Sequence, residues 1–147
     1  MPTSLVTGLL GYAQVSGVST SASLDDKSQY PLFARTIVSD HGNAVPIIKY
    51  IREVLQVKHL AMINVNDAYG NLFVEGLRLA ADAHAPDMTL MQIPLNEGQR
   101  SIEHAVASLK ETGFRFVFCL VFTDEVHDAL MTEAYKQGVA GDGKHNW

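Results

Sequence analysis

The sequence predicts an α/β protein built on a doubly wound parallel sheet, and three observations carry that prediction. Apolar runs of strand length, HLAMINV at 59–65, MTLMQIPL at 88–95 and FRFVFCLVF at 114–122, alternate with stretches whose apolar residues recur every three or four positions. The connections are short, so strand, helix, strand reads as a crossover between parallel neighbours with helices on both faces. The run Phe114 to Phe122 is almost continuously apolar, the pattern of a central parallel strand buried on both sides.

The elements follow in order. Over 2–13, Leu5, Leu9 and Tyr12, and Val6, Leu10 and Ala13, recur at helical spacing. Residues 15–19 (VSGVS) carry a weak strand signal, and the hydroxyl-rich Ser19, Thr20, Ser21 and Ser23 with LDDK read as loop. FARTIV at 33–38 is a short strand. Ala44, Ile47, Ile48, Ile51 and Leu55 then predict a helix with Asn43 as N-cap, because that start puts Pro46 in the first turn, where its missing N–H costs nothing. Strand 59–65 ends in the loop NDAYG, and a helix follows with Phe73, Leu77 and Ala80 or Ala81 on one face. After strand 88–95, a helix over 101–112 turns Ile102, Ala105, Val106 and Leu109 inward and stops at Gly113, a natural C′ residue. Thr123 caps the last helix, Asp124 and Glu125 suit its positive end, and Val126, Leu130, Met131 and Ala134 are its buried stripe, with Gly138 the stop. Ligands of such sheets sit beyond the carboxyl ends of the strands, which singles out the loops 66–70, 95–100 and 122–125.

A length of 147 residues suits one globular unit, and 47% apolar with 18% charged residues is the composition of a chain that folds. Eleven basic against sixteen acidic residues give a net charge of −5, which disfavours nucleic acid and anionic lipid as partners. Cys119 is the single cysteine, so neither an intrachain disulfide nor a cysteine metal cluster can form. The longest apolar run, 116–122, is too short for a membrane helix, and no Lys or Arg precedes Lys27, so the opening segment reads as an interior helix and not as a signal peptide.

The chemical motifs are sparse. Gly138 to His145 fits G-x-x-x-x-G-K, but His145 stands where a phosphate loop needs Ser or Thr, and the segment follows a helix instead of a strand. Asp124, His127 and Asp128, like Glu103 and His104, lie off the apolar stripes and read as solvated faces. No nucleophile, base and orienting group assemble, and no metal or cofactor is implied. Two features remain. Ser19, Thr20 and Ser21 offer hydroxyls that accept from an ammonium or donate to a carboxylate, or else form an ordinary Ser-rich turn. Asp40 and Tyr69 are a helix cap and a surface aromatic if taken singly; in one crevice they present an anion and a ring face to a cation.

STSASLDDKSQYPLFARTIVSD resembles the hinge-proximal stretch of type I periplasmic-binding-protein-like, or Venus flytrap, domains, with their Ser/Thr turn, DK-x-x-YP-x-F-x-RT strand and P-S-D, although Val38 replaces the usual Pro. INVNDAYGNLFVEGL and IEHAVASLKETGFRFVFCL are similar to the strand, loop and helix units that follow. The family includes amino-acid binding proteins, natriuretic-peptide receptor ectodomains and those of metabotropic glutamate and GABA type B receptors. The resemblance implies a non-catalytic, two-lobed domain that closes on a small ligand, extracellular or periplasmic in the parent, serving signalling or transport. It implies that Ser19 and Thr20 face the ligand from the first lobe, and that Asp40 and Tyr69 match second-lobe positions at the ligand's amino group. Residues 1–36 would be the end of the first lobe and the hinge-proximal strand, and 37–147 a Rossmann-like second lobe. The expectation is thus an incomplete two-lobe fold whose partner is the rest of its own first lobe, with association between copies through uncovered apolar surface. Two other readings stand beside it: a flavodoxin-like or Rossmann-like enzyme acting on a small molecule, and a truncated product without activity.

Overall fold

The computed structural model describes residues 2–141, 143 and 145–147. Two parallel sheets organise the chain. Helix α1 (Pro2–Leu9) leads into a two-stranded sheet of β1 (Gln14–Ser16) and β2 (Phe33–Arg35), in which Gln14 pairs with Phe33 and Ser16 with Arg35. Helix α2 (Asp40–Lys49) then opens the larger unit of β3 (His59–Val65), α3 (Ala68–His84), β4 (Thr89–Leu95), α4 (Gln99–Thr112), β5 (Phe116–Leu120) and α5 (Asp124–Lys136), with strand order β4-β3-β5.

The doubly wound character is written in β3. Its side chains alternate: Ala61 and Ile63 pack with Ile102, Val106 and Leu109 of α4 and Leu130 of α5, whereas Leu60 and Met62 pack with Ile48 of α2 and Phe73, Val74 and Leu77 of α3. Every residue from Leu60 to Asn64 is buried. The predicted apolar stripes of α3, α4 and α5 face these cores, and Gly113 ends α4 at φ 69°, the left-handed conformation that favours glycine.

The structure corrects several boundaries. The first helix stops at Leu9 instead of Ala13, the first strand is 14–16 instead of 15–19, and the strand expected over 33–38 ends at Arg35. The fourth helix starts at Gln99 instead of 101. The N-cap of α2 is Ser39 and not Asn43: the Ser39 Oγ accepts from the Gly42 amide at 3.2 Å, and the Asn43 amide donates to the Ser39 carbonyl. Pro46 therefore lies in the helix interior, on its exposed side. The helix continues as a wide turn, Tyr50–Val54. Thr123 precedes α5 as expected, but its hydroxyl makes no cap bond.

The largest correction concerns the apolar run 114–122. Its strand, β5, pairs with β3 on one side only; on the other it meets Asn146 in a single parallel bridge, with the Val117 amide donating to the Asn146 carbonyl at 2.8 Å. The central strand is β3. Among the described residues β5 is an edge, and only Val117 within it is fully buried. Of the Gly138–His145 motif, Asp142 and Lys144 lie outside the described residues.

Candidate functional site

The hydroxyl turn is held by its carbonyls. The Arg35 guanidinium, at the end of β2, donates to the Ser19 carbonyl at 3.0 Å and the Ser21 carbonyl at 3.1 Å, and pairs with Asp25. Between those two, the Thr20 carbonyl accepts the Asp40 amide at 2.9 Å. Three successive carbonyls are thus fixed, and the bond from Asp40 fastens the turn to the first residue of α2. The Ser19 hydroxyl faces β1, where the Ser16 hydroxyl donates to it at 2.9 Å. The Ser21 Oγ is buried and has no hydrogen-bond partner among the described residues.

Because α2 starts at Asp40, that carboxylate sits in the first turn, where the helix dipole favours an anion. It is only 2% exposed. Tyr69 arrives from the carboxyl end of β3, where Asp67 caps α3 by accepting the Gly70 amide at 2.7 Å. This cap needs glycine at 70, because a Cβ there would lie 2.2 Å from the Val65 carbonyl oxygen. The Tyr69 hydroxyl donates to Asp40 Oδ1 at 3.4 Å, and the Thr20 hydroxyl bonds the same phenol. Burial first, and the Asp40 charge second, push the Tyr69 phenol above its ordinary pKa. The ring meets Phe122 edge-on at 5.0 Å between centroids and lies 6.2 Å from Phe73.

The structure therefore brings Thr20, Asp40 and Tyr69 to one point, where the β1–β2 sheet meets the carboxyl end of the larger one. Ser19 is engaged elsewhere, and the Ser21 hydroxyl, on the same turn, is buried apart from these contacts. The carboxylate, the phenol and the Thr20 hydroxyl form an acceptor-rich cluster beside the Tyr69 and Phe122 rings, chemistry suited to a cationic group. No three His, Cys, Asp or Glu among the described residues are grouped to hold a metal.

Sequence reasoning missed Arg35 and Phe122. Phe122 lies in the strand-end loop 122–125 already singled out, and Arg35 in the FART strand, but the ring contact and the carbonyl clamp exist only in three dimensions. His127 and Asp128 lie on the surface, their side chains 3.7 Å apart, as expected of a solvated face.

Comparison with known proteins bears on this geometry. The chain is 28% identical over 142 residues to the probable metabotropic glutamate receptor mgl-1 of Caenorhabditis elegans, a match covering 92% of the chain but 14% of that protein's length. The family model described as the receptor family ligand binding region matches residues 1–147. With the match running from end to end over parallel sheets flanked by helices, the chain belongs to the receptor family ligand-binding region.

Proposed function

We propose that the chain is part of a non-catalytic domain that binds an amino acid or a similar small molecule, with the cluster of Thr20, Asp40 and Tyr69 as the part of the site it contributes. Residues 37–147 form the second lobe, and 1–36 the end of the first lobe and the hinge-proximal strand. The observation that carries this reading is the meeting of Thr20, Asp40 and Tyr69 across the two sheets. The Tyr69–Asp40 bond, at 3.4 Å, is at the long end of the hydrogen-bond range, so a ligand ammonium competes for Asp40 with little to displace. The Ser19–Ser21 turn supports the other end of such a ligand, since hydroxyls of this kind can donate to a carboxylate. Extracellular or periplasmic placement of the parent follows from the same reading, as does association between copies through the exposed apolar residues of the first helix, where Leu9 is 88% exposed.

The test is titration of the isotopically labelled chain with a panel of amino acids. L-glutamate is the first probe, on the strength of the relative's name. The expected result is saturable shifts at Thr20, Asp40 and Tyr69 that disappear in Asp40→Asn. Shifts absent for every amino acid, or retained unchanged in Asp40→Asn, overturn the reading.

A further inference from the structure

Behind Tyr69 lies a run of side-chain amides with a single donor direction. Arg78 donates to Gln92 Oε1 at 3.4 Å, and Gln92 Nε2 donates to Asn64 Oδ1 at 3.0 Å and to Asn71 Oδ1 at 3.2 Å. Asn64 Nδ2 donates to Asn71 Oδ1 at 3.1 Å and to the Val65 carbonyl at 2.9 Å. Asn71 Nδ2 then donates to Asn66 Oδ1 at 3.0 Å, and Asn66 Nδ2 to Asn96 Oδ1 at 2.7 Å. The run joins β4, the end of β3, the first turn of α3 and the loops after β3 and β4. It continues into backbone bonds: the Asn66 amide donates to the Leu95 carbonyl at 2.8 Å, and the Asn96 amide to Ser101 Oγ at 2.8 Å.

Asn71 is the hub. Its carbonyl oxygen accepts from two strands, and its amide nitrogen donates to the loop that precedes Tyr69. Asn64 is fully buried, 0% exposed, so its amide has no water to fall back on. Amides bonded head to tail polarise one another, which stiffens the run beyond the sum of its links. Asn71 is two residues from Tyr69 and one from Gly70, the residue whose missing Cβ lets the helix end approach the Val65 carbonyl. The two residues that follow Tyr69 are therefore held by the close Gly70 approach to the Val65 carbonyl and by the amide bonds of Asn71.

We propose that Asn71 is a positioning residue of the candidate site: through the amide run it fixes the loop after β3 to the loop after β4, and so sets where Tyr69 stands before any ligand arrives. This rests on the reading of Tyr69 as a ligand contact, yet the placement itself can be read without a ligand. The experiment labels the five tyrosines with 3-fluorotyrosine, assigns the Tyr69 fluorine line from Tyr69→Phe, and measures backbone amide exchange over 66–71. In Asn71→Ala, an exposed helical position where alanine costs the helix nothing, the Tyr69 line shifts or broadens while the other tyrosines stay put. Exchange over 66–71 speeds up about tenfold, the scale of losing one to two neutral hydrogen bonds. Asn96→Ala, which removes only the last link, raises exchange at Asn66 by a smaller factor. An unchanged Tyr69 line overturns the proposal, and so does a change spread equally over all five tyrosines, which marks general loosening. Should Asn71→Ala fail to fold, Asn96→Ala decides alone: unchanged exchange at Asn66 overturns the proposal. Titration with L-glutamate is run on the same samples. No binding by the parent chain refutes the ligand reading and leaves the fluorine result standing, whereas binding by the parent that Asn71→Ala leaves equally tight refutes the positioning role.

Discussion

Replacing Asp40 by Asn removes one charge and keeps the shape, so it separates what this carboxylate does for the helix from what it does for a ligand. The residue is 2% exposed, opens α2 and faces the Tyr69 hydroxyl. Loss of an anion from a partly buried first turn costs about 1 kcal/mol, and the phenol exchanges a charge-assisted bond for a neutral one of roughly half the strength. At this chain length about 1 kcal/mol lowers the melting temperature by about 2–4 °C. If the same carboxylate receives a ligand ammonium, truncating a desolvated charge pair costs about 2–4 kcal/mol of binding, a loss of about 30- to 800-fold in affinity. Ser39→Ala is the matched control. It removes the true cap for about 1 kcal/mol without touching the charge. Thermal melts and isothermal titration of both variants give the answer. Asp40→Asn and Ser39→Ala should destabilise alike, and only Asp40→Asn should weaken binding by that factor. Equal affinities in the two variants would show that Asp40 serves the helix end alone.

Three further outcomes are expected. Asp87 accepts from Arg52 at 2.7 Å and 2.9 Å, and that bond, followed by the Arg52 and Lys58 charges, holds its carboxyl down to about 2. A carboxyl lowered in the folded state stabilises above its unfolded pKa and loses that contribution as pH falls through the folded one. The melting-temperature gap between parent and Asp87→Asn should therefore be full at pH 6 and close between about pH 4 and pH 2; a gap as wide at pH 2 as at pH 6 refutes the assignment. Gly70→Ala drives a methyl to 2.2 Å from the Val65 carbonyl, so urea unfolding should show a loss of about 1–3 kcal/mol, and an unchanged midpoint would refute the close approach. Replacing Leu9 and Leu10 by Ser should lower the apparent mass by light scattering if exposed apolar residues drive association; a parent chain that is already a sharp monomer ends that idea.

The alternation of strands and helices was legible because burial on both faces leaves an unambiguous trace, as in the seven-residue run HLAMINV. So were the inward stripes of α4, where Ile102, Ala105, Val106 and Leu109 fall at helical spacing. The start of α2 was not. Ser39 and Asn43 are both good caps, and the choice rests on burial of Asp40 and its amide bond to the Thr20 carbonyl, a contact across twenty residues of chain. The place of β5 was hidden for a related reason: side chains record the helices packed over a strand, whereas backbone pairing decides whether the strand is central. Asp40 and Tyr69 could be paired from the sequence as an anion and a ring, but their role at a ligand's amino group came only from a family resemblance. Their meeting with Thr20 depends on the Arg35 clamp, which no local pattern announces.

The alternation along β3 sets a problem of alignment. Leu60 and Met62 fill one core, Ala61 and Ile63 the other, and all four are apolar, so hydrophobicity alone would tolerate the strand sliding by one residue. Asn64 does not tolerate it. A slip would carry its amide out of reach of Asn71 and Gln92 into the layer of Leu109 and Leu130, leaving polar atoms unpaired at about 1–3 kcal/mol. One buried amide thus acts as an index mark for the whole sheet: it penalises the misaligned strand that the surrounding hydrocarbon would accept, and ties correct alignment of β3 to the turn that presents Tyr69.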